Sequence, residues 1–287
     1  MKETSGLTLQ SVLGGLMKRY SERVPEVKAI LEVMSKKGLI SSPEDVENDH
    51  IAFRTLAVPH LGITSFEKIF LHYGYQKKDH YFFGKKKLDA WWYAPPDSKL
   101  PRIFISELRV QDLPEKIQKL ILSYSSEVKS DPVDHLDLDD ALQVDEFLHG
   151  GLWRLPSWED YETLGQSSEY AAWVIYNRYY LNHFTISVHH LPKGFNDIEE
   201  FTNWHLRQGF KMNDSGGLIK TSADGLLRQS ATVASLVDAV FSDGSIHAIP
   251  GSYIEFAERR EGREGFEAAN ADKIFESTFV EQINKTR

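Results

Sequence analysis

Apolar residues recur at helical spacing near the start of the chain, at Leu9, Val12, Leu13, Leu16 and Tyr20 and again at Val27, Ile30, Leu31 and Met34. This periodicity predicts helices over 7–20 and 25–37, with Pro25 at one start and Gly38 at one stop. A polar stretch, Ser41-Ser42-Pro43-Glu44-Asp45, gives way to strand-like alternation from Asp49, a helix near 64–73 closed by Gly74, and strands near 79–83, 88–94 and 102–110. The order is β-α-β-β-β. Helical spacing returns over 112–130 and over 157–180, the latter opened by Ser157 with Asp160 three residues on and carrying Trp158, Tyr161, Tyr170, Trp173 and Tyr176. That aromatic stripe predicts core.

The β-α-β-β-β pattern then repeats. Residues 182–188 read as a strand, 196–208 as a helix ending at Gly209, and 217–221, 229–241 and 251–258 as three more strands. The parallels are also local: Asp49-His50 against Asn182-His183, Tyr73-Gly74-Tyr75 against Gln208-Gly209-Phe210, and Ile105-Ser106-Glu107-Leu108-Arg109 against the stretch from Ile254 to Arg259. The expected architecture is α+β, with two tandem β-α-β-β-β modules over 49–111 and 182–260. A helical preface (1–48), a helical insertion (112–181) and a C-terminal helix (261–287) complete a single catalytic domain. Packed with their concave faces together, two such half-open curved sheets enclose one cavity walled by both first strands.

Those first strands carry the candidate chemistry. Alternation puts His50, Ala52 and Arg54 on one face, with Cα atoms of His50 and Arg54 roughly 13 Å apart, a span that suits a small dicarboxylate held between a metal and an arginine. In the second module His183 shares a face with Thr185 and Ser187, and Glu255 shares one with Tyr253 and Ala257. His50, His183 and Glu255 together make a two-His, one-carboxylate set, which leaves positions open on an octahedral ion and favours Fe(II), or manganese, over zinc or magnesium. With Arg109 aligned on Arg259, the first-module counterpart of Glu255 is Ile105, so one metal site is expected. Glu107, two residues further on, is an alternative ligand. Gln229 is a candidate for orienting substrate or a ligand, and equally an ordinary sheet amide.

Composition narrows the classes. The chain has 287 residues and no cysteine, so thiolate zinc sites, iron–sulfur clusters and disulfides are excluded. A net charge of −9 and a pI near 5.7 argue against nucleic acid or anionic membrane as partner, and the triplet Lys85-Lys86-Lys87 reads as a solvated turn. No apolar run approaches the ~20 residues of a membrane span, and no signal or transit peptide is evident. The acidic stretch 131–150 lacks the spacing of a calcium loop, the Gly pairs lack a phosphate-loop pattern, and no Gly-x-Ser-x-Gly elbow supports a hydrolase. His189 and His190 point to opposite faces, and His247 falls on a loop.

Four ordered stretches resemble the motifs of the 2-oxoadipate dioxygenase/decarboxylase family: Asp49 to Thr55, Asn182 to Val188, Gly225 to Thr232 and Pro250 to Arg259. The likeness runs from about residue 10 to the C-terminus and is strongest to the plant members. It implies a fold akin to the vicinal-oxygen-chelate superfamily, iron on His50, His183 and Glu255, and Arg54 gripping the substrate carboxylate. It further implies the final step of a lysine catabolic route, in which 2-oxoadipate and O2 give 2-hydroxyglutarate and CO2, and a plastid address carried by a preceding leader. Bacterial members run longer past the glutamate motif, so the distal end of the pocket here falls to 266–276. Two other readings are a carbohydrate or assembly protein presenting Trp91-Trp92-Tyr93 and the 157–180 aromatics, and a metal-dependent isomerase or lyase of the same fold.

Overall fold

The computed structural model describes residues 2–285. Two helices, α1 (Lys2–Arg23) and α2 (Pro25–Lys36), precede the first module, which runs β1 (Asn48–Leu56), α3 (Ile63–His72), β2 (Gln76–Phe83), β3 (Leu88–Ala94) and β4 (Arg102–Leu108). Four helices follow, α4 (Glu115–Ser125), α5 (Ala141–His149), α6 (Trp158–Ser167) and α7 (Glu169–Asn177). The second module is β5 (His183–Ser187), α8 (Ile198–Arg207), β6 (Lys220–Thr221), β7 (Leu227–Ala231) and β10 (Tyr253–Arg259), with β8 (Leu236–Val240) and β9 (Ile246–Pro250) inserted before β10. Helices α9 (Ala268–Ile274) and α10 (Val280–Lys285) end the described chain.

Eight strands form one sheet in the order β2-β3-β4-β1-β5-β10-β7-β6. It is one curled sheet, not two facing ones: antiparallel pairing of β1 with β5 joins the modules edge to edge, so neither central strand has a free edge. Within each module the first strand lies parallel to the last, β1 on β4 and β5 on β10, a pairing that needs the crossover supplied by α3 and α8. Each crossover helix is fixed at its N-terminus by a carboxylate from the last strand, where free backbone N–H groups attract negative charge. Glu107 accepts from Ile63 N at 2.7 Å, and Glu258 accepts from Ile198 N at 2.8 Å.

Three expectations need correction. The 157–180 helix is broken at Ser168, which ends α6 in extended backbone and caps α7 by accepting from Ala171 N at 3.2 Å. The 229–241 strand divides: β7 stays in the sheet, the next residues bond Lys211 and Ser277 backbone, and β8 pairs with β9 in a separate hairpin. In place of one C-terminal helix, two short helices flank a tight turn at Phe275–Thr278. Tyr170 and Trp173 of α7 are buried in the core, whereas Tyr176 of α7 and Trp158 and Tyr161 of α6 are half-buried against the hairpin around Phe241.

Candidate metal centre

At the β1–β5 seam His183 pairs with Ala52, which sets the imidazoles of His50 and His183 side by side on the concave face. Glu255 enters from β10, opposite Thr185. One donor atom from each of the three residues lies within 4.8 Å of the other two, and all three side chains are buried. The Nε2 atoms of the histidines are 3.3 Å apart, and Glu255 oxygens lie 3.5 Å from His50 Nε2 and 3.3 Å from His183 Nε2. Among the described residues this is the one such cluster. Glu107 is not part of it. Its side chain is on the other face of β4, at the start of α3, because Glu107 shares a face with Ile105 and not with Phe104.

The surrounding hydrogen bonds turn both Nε2 atoms toward the cluster. Asp49 Oδ1 is 2.8 Å from His50 Nδ1, and Asn182 Oδ1 is 3.2 Å from His183 Nδ1, so each ring donates Nδ1–H outward and keeps a lone pair on Nε2. Burial acts to raise the Asp49 carboxyl, but the Arg259 guanidinium and His50 outweigh it and hold Asp49 well below its usual range. Arg259 grips Asp49 with Nε at 2.7 Å and another nitrogen at 3.0 Å. Burial also opposes charge on His50, yet the Glu255 and Asp49 carboxylates raise it. His183 is driven well below its ordinary value by burial, then by the His50 and Arg54 charges. Gln229 lies on β7 on the same face as Glu255; its Nε2 donates to Glu255 Oε1 at 2.5 Å while its Oε1 accepts from Asn270 at 3.0 Å. Gln229 thus links Glu255 to Asn270 of α9.

Two imidazoles with Nε2 turned inward and one carboxylate suit a divalent ion that accepts mixed nitrogen and oxygen donors, with the Thr185 hydroxyl 3.1 Å from His50 Nε2. Three buried donors crowded together with no cation between them are otherwise costly, so the residues fit a bound metal.

Arg54 is on the same face of β1, fully buried, and reaches away from the ligands. It donates to Thr278 Oγ1 at 2.9 Å and to the Phe275 carbonyl at 3.2 Å, and its guanidinium lies over the rings of Tyr170, Trp173 and Phe275 at 5.1, 5.2 and 5.7 Å. Arg54 Nε and the nearby Tyr253 hydroxyl are buried without a hydrogen-bonding partner. No carboxylate lies within ion-pair distance of Arg54 among the described residues. Burial lowers its pKa, but a guanidinium stays charged in a protein.

Sequence reasoning placed the distal end of the pocket at 266–276 without naming its contacts, and it missed Phe104 and the groups that hold the histidines. Phe104, Phe266, Ala271, Ile274 and Phe275 line the small cavity beside the ligands, and the Phe266 ring meets His50 edge-on at 4.7 Å. The parallel between Asp49-His50 and Asn182-His183 was the available signal for the second layer, since both preceding residues bond their histidine. His189, His190 and His247 take no part: His189 accepts from Arg259 N, His190 pairs with Glu47, and His247 stacks on Trp158 at 3.8 Å. Trp92 and Tyr93 are buried, so the Trp91-Trp92-Tyr93 run forms no continuous surface for a sugar.

Comparison with known proteins identifies the family. A model of the family described as 2-oxoadipate dioxygenase/decarboxylase matches residues 12–262. The chain is 40% identical over 306 residues to the chloroplastic 2-oxoadipate dioxygenase/decarboxylase of Arabidopsis thaliana, covering 96% of this chain and 79% of the relative. It superposes on the crystal structure of hydroxyglutarate synthase from Oryza sativa in complex with 2-oxoadipate with a TM-score of 0.89 and 36% identity, over 99% of this chain and 96% of that one. A glyoxalase-superfamily protein from Ralstonia eutropha JMP134 superposes with a TM-score of 0.69 and 23% identity, over 88% of this chain and 83% of that one. That last likeness speaks for the fold alone.

Proposed function

Because this chain belongs to the 2-oxoadipate dioxygenase/decarboxylase family, we propose that it converts 2-oxoadipate and O2 to 2-hydroxyglutarate and CO2, with Fe(II) held by His50, His183 and Glu255 and with Arg54 gripping a substrate carboxylate. The setting is the last step of lysine degradation in a plastid, in keeping with the chloroplastic relative. No described helix is long and apolar enough to cross a membrane. The observation that carries the reading is the pairing of a buried three-donor cluster with a buried arginine that has no anion. A dicarboxylate supplies what both lack.

Fe(II) held by His50, His183 and Glu255 would supply the oxygen-activating chemistry for a bound 2-oxo acid. The protein does the positioning. Asp49, clamped by Arg259, holds the His50 ring in one tautomer, and Gln229 fixes the direction of Glu255. Arg54, held flat by Tyr170 and Trp173, offers a planar fork to a carboxylate and keeps a flexible six-carbon chain in one orientation, which is worth several kcal/mol of barrier. Phe104, Phe266 and Phe275 exclude water around the reacting carbons. The test is anaerobic reconstitution of the metal-free chain with Fe(II), followed by 2-oxoadipate and O2. Oxygen uptake matched by 2-hydroxyglutarate is expected, and no turnover above the metal-free control sinks the reading.

A further inference from the structure

The cavity at the metal ligands measures about 20 Å³, room for one water and far short of a six-carbon dicarboxylate. Its roof is the segment from Phe266 to Phe275, so something in that roof must move for substrate to arrive. Two larger cavities flank the roof. One, about 320 Å³, lies between Trp158 and Thr278 and shares no lining residue with the metal cavity. The other, about 380 Å³, is walled by the β2–β3 turn with Lys85, Lys86 and Lys87, and it shares one residue with the metal cavity, Phe275. The Phe275 ring packs edge-on to Phe83 at 5.2 Å, and the Arg54 guanidinium lies 5.7 Å from it.

The lysine turn also fastens the roof. Lys86 Nζ is 3.0 Å from Asp272 and 3.0 Å from Glu276, residues on either side of Phe275 in the chain. Asp272 and Glu276 balance Lys86, but Lys85 and Lys87 also line this cavity, and its one lining carboxylate, Glu169, accepts from Val280 N at 2.7 Å. In a chain of net charge −9 such a basic mouth stands out, and a funnel of one sign raises the arrival rate of an oppositely charged ligand. Past Phe275 the next cation is Arg54.

Resting on the reading that the substrate is a dicarboxylate, we infer that it reaches the metal through the lysine-lined cavity, with Lys85 and Lys87 capturing it, Lys86 latching the roof and Phe275 serving as the door. The experiment uses the full chain loaded anaerobically with Co(II), whose absorption reports a ligand arriving without turnover. Stopped-flow mixing with 2-oxoadipate, and separately with the dianionic chelator dipicolinate, is run over rising salt in the parent, the Lys85→Gln/Lys87→Gln double variant and Phe275→Ala. In the parent both arrival rates should fall with salt. The double variant should slow both about tenfold and flatten the salt dependence, with Co(II) content and departure rates unchanged. Phe275→Ala should speed arrival and departure together. A double variant with the parent's rates and salt slope overturns the route, whatever Phe275→Ala does. A parent that answers dipicolinate but not 2-oxoadipate overturns the substrate reading alone, and the dipicolinate rates then decide the route.

Discussion

Counting outward from the β1–β5 seam, position for position, His50 corresponds to His183, Arg54 to Ser187, Phe104 to Glu255, Phe70 to His205 and Glu107 to Glu258. What both modules keep is a histidine bonded to its preceding residue at the seam, and a carboxylate at the start of the crossover helix. What they do not share is the rest of the polar equipment of the site. The first module holds the cation, Arg54, and fills the carboxylate position with the ring of Phe104; the second holds Glu255 and Gln229 and puts Ser187 where the arginine would be. A sheet with near two-fold symmetry thereby encloses a site with two unlike ends, which a substrate bearing an oxo acid at one end and a carboxylate at the other requires.

The largest effect that sharpens this contrast is at Glu255. Glu255→Ala should lose bound iron and all turnover together, while Phe104→Leu at the matching position should keep its iron; elemental analysis of the purified chains decides. A full complement of iron in Glu255→Ala removes it from the ligand set. Next comes the other end. Arg54→Ala should retain iron while kcat/KM for 2-oxoadipate falls on the order of 10²–10⁴, the range of losing a buried charge-assisted pair. Arg54→Lys should recover little, since a point charge cannot replace a planar fork. Ser187→Ala should leave kcat/KM nearly unchanged. Smaller still are the groups that aim the ligands: Gln229→Leu and Asp49→Asn should each weaken iron binding about 10–100-fold without removing it, measured by competition with a chelator.

The repeat and the two clustered seam histidines were legible in the sequence because alternation has a strict period of two and each module shows its first strand plainly. The match of the last strands was not. Aligning Arg109 with Arg259 put Ile105 opposite Glu255, one residue off, and a one-residue slip sends every side chain to the other face. Those arginines do unlike jobs: Arg109 pairs with Asp89 and Asp112 near the surface, whereas Arg259 clamps Asp49 in the core. The true anchors are Glu107 and Glu258, whose task at a helix N-terminus shows only once the helix is in place. The expectation of one metal site rests as well on Phe104 as on Ile105. The roof over the site was legible only as a range, 266–276, and only through the family resemblance: Phe266 and Phe275 come from short segments with too few turns to show a period, and they are placed by contacts with His50, Phe83 and Phe104 far away in sequence.

The smallest difference between the modules is felt in stability, not turnover. On α8, His205 is fully buried against Phe201 and Phe256, where the matching residue of α3 is Phe70. Its Nδ1 donates to the Phe201 carbonyl at 2.9 Å and its Nε2 has no partner, so a proton there would put a charge among rings; burial accordingly pushes its pKa down to about 4. Unfolded, the same imidazole titrates near its ordinary 6.5. Between those values the unfolded chain binds the extra proton, so this contribution is fully present above pH 6.5 and drains away as pH falls toward 4. At about 1.4 kcal/mol per pH step, some 2 kcal/mol is gone by pH 5, roughly 4–8 °C in Tm for a chain of this size. His205→Phe should therefore match the parent at pH 7.5 and exceed it by that margin at pH 5, and Phe70→His should import the same acid sensitivity into the first module. Thermal melts of the three chains across that pH range check both; parallel Tm curves for parent and His205→Phe would mean that His205 carries none of the acid response.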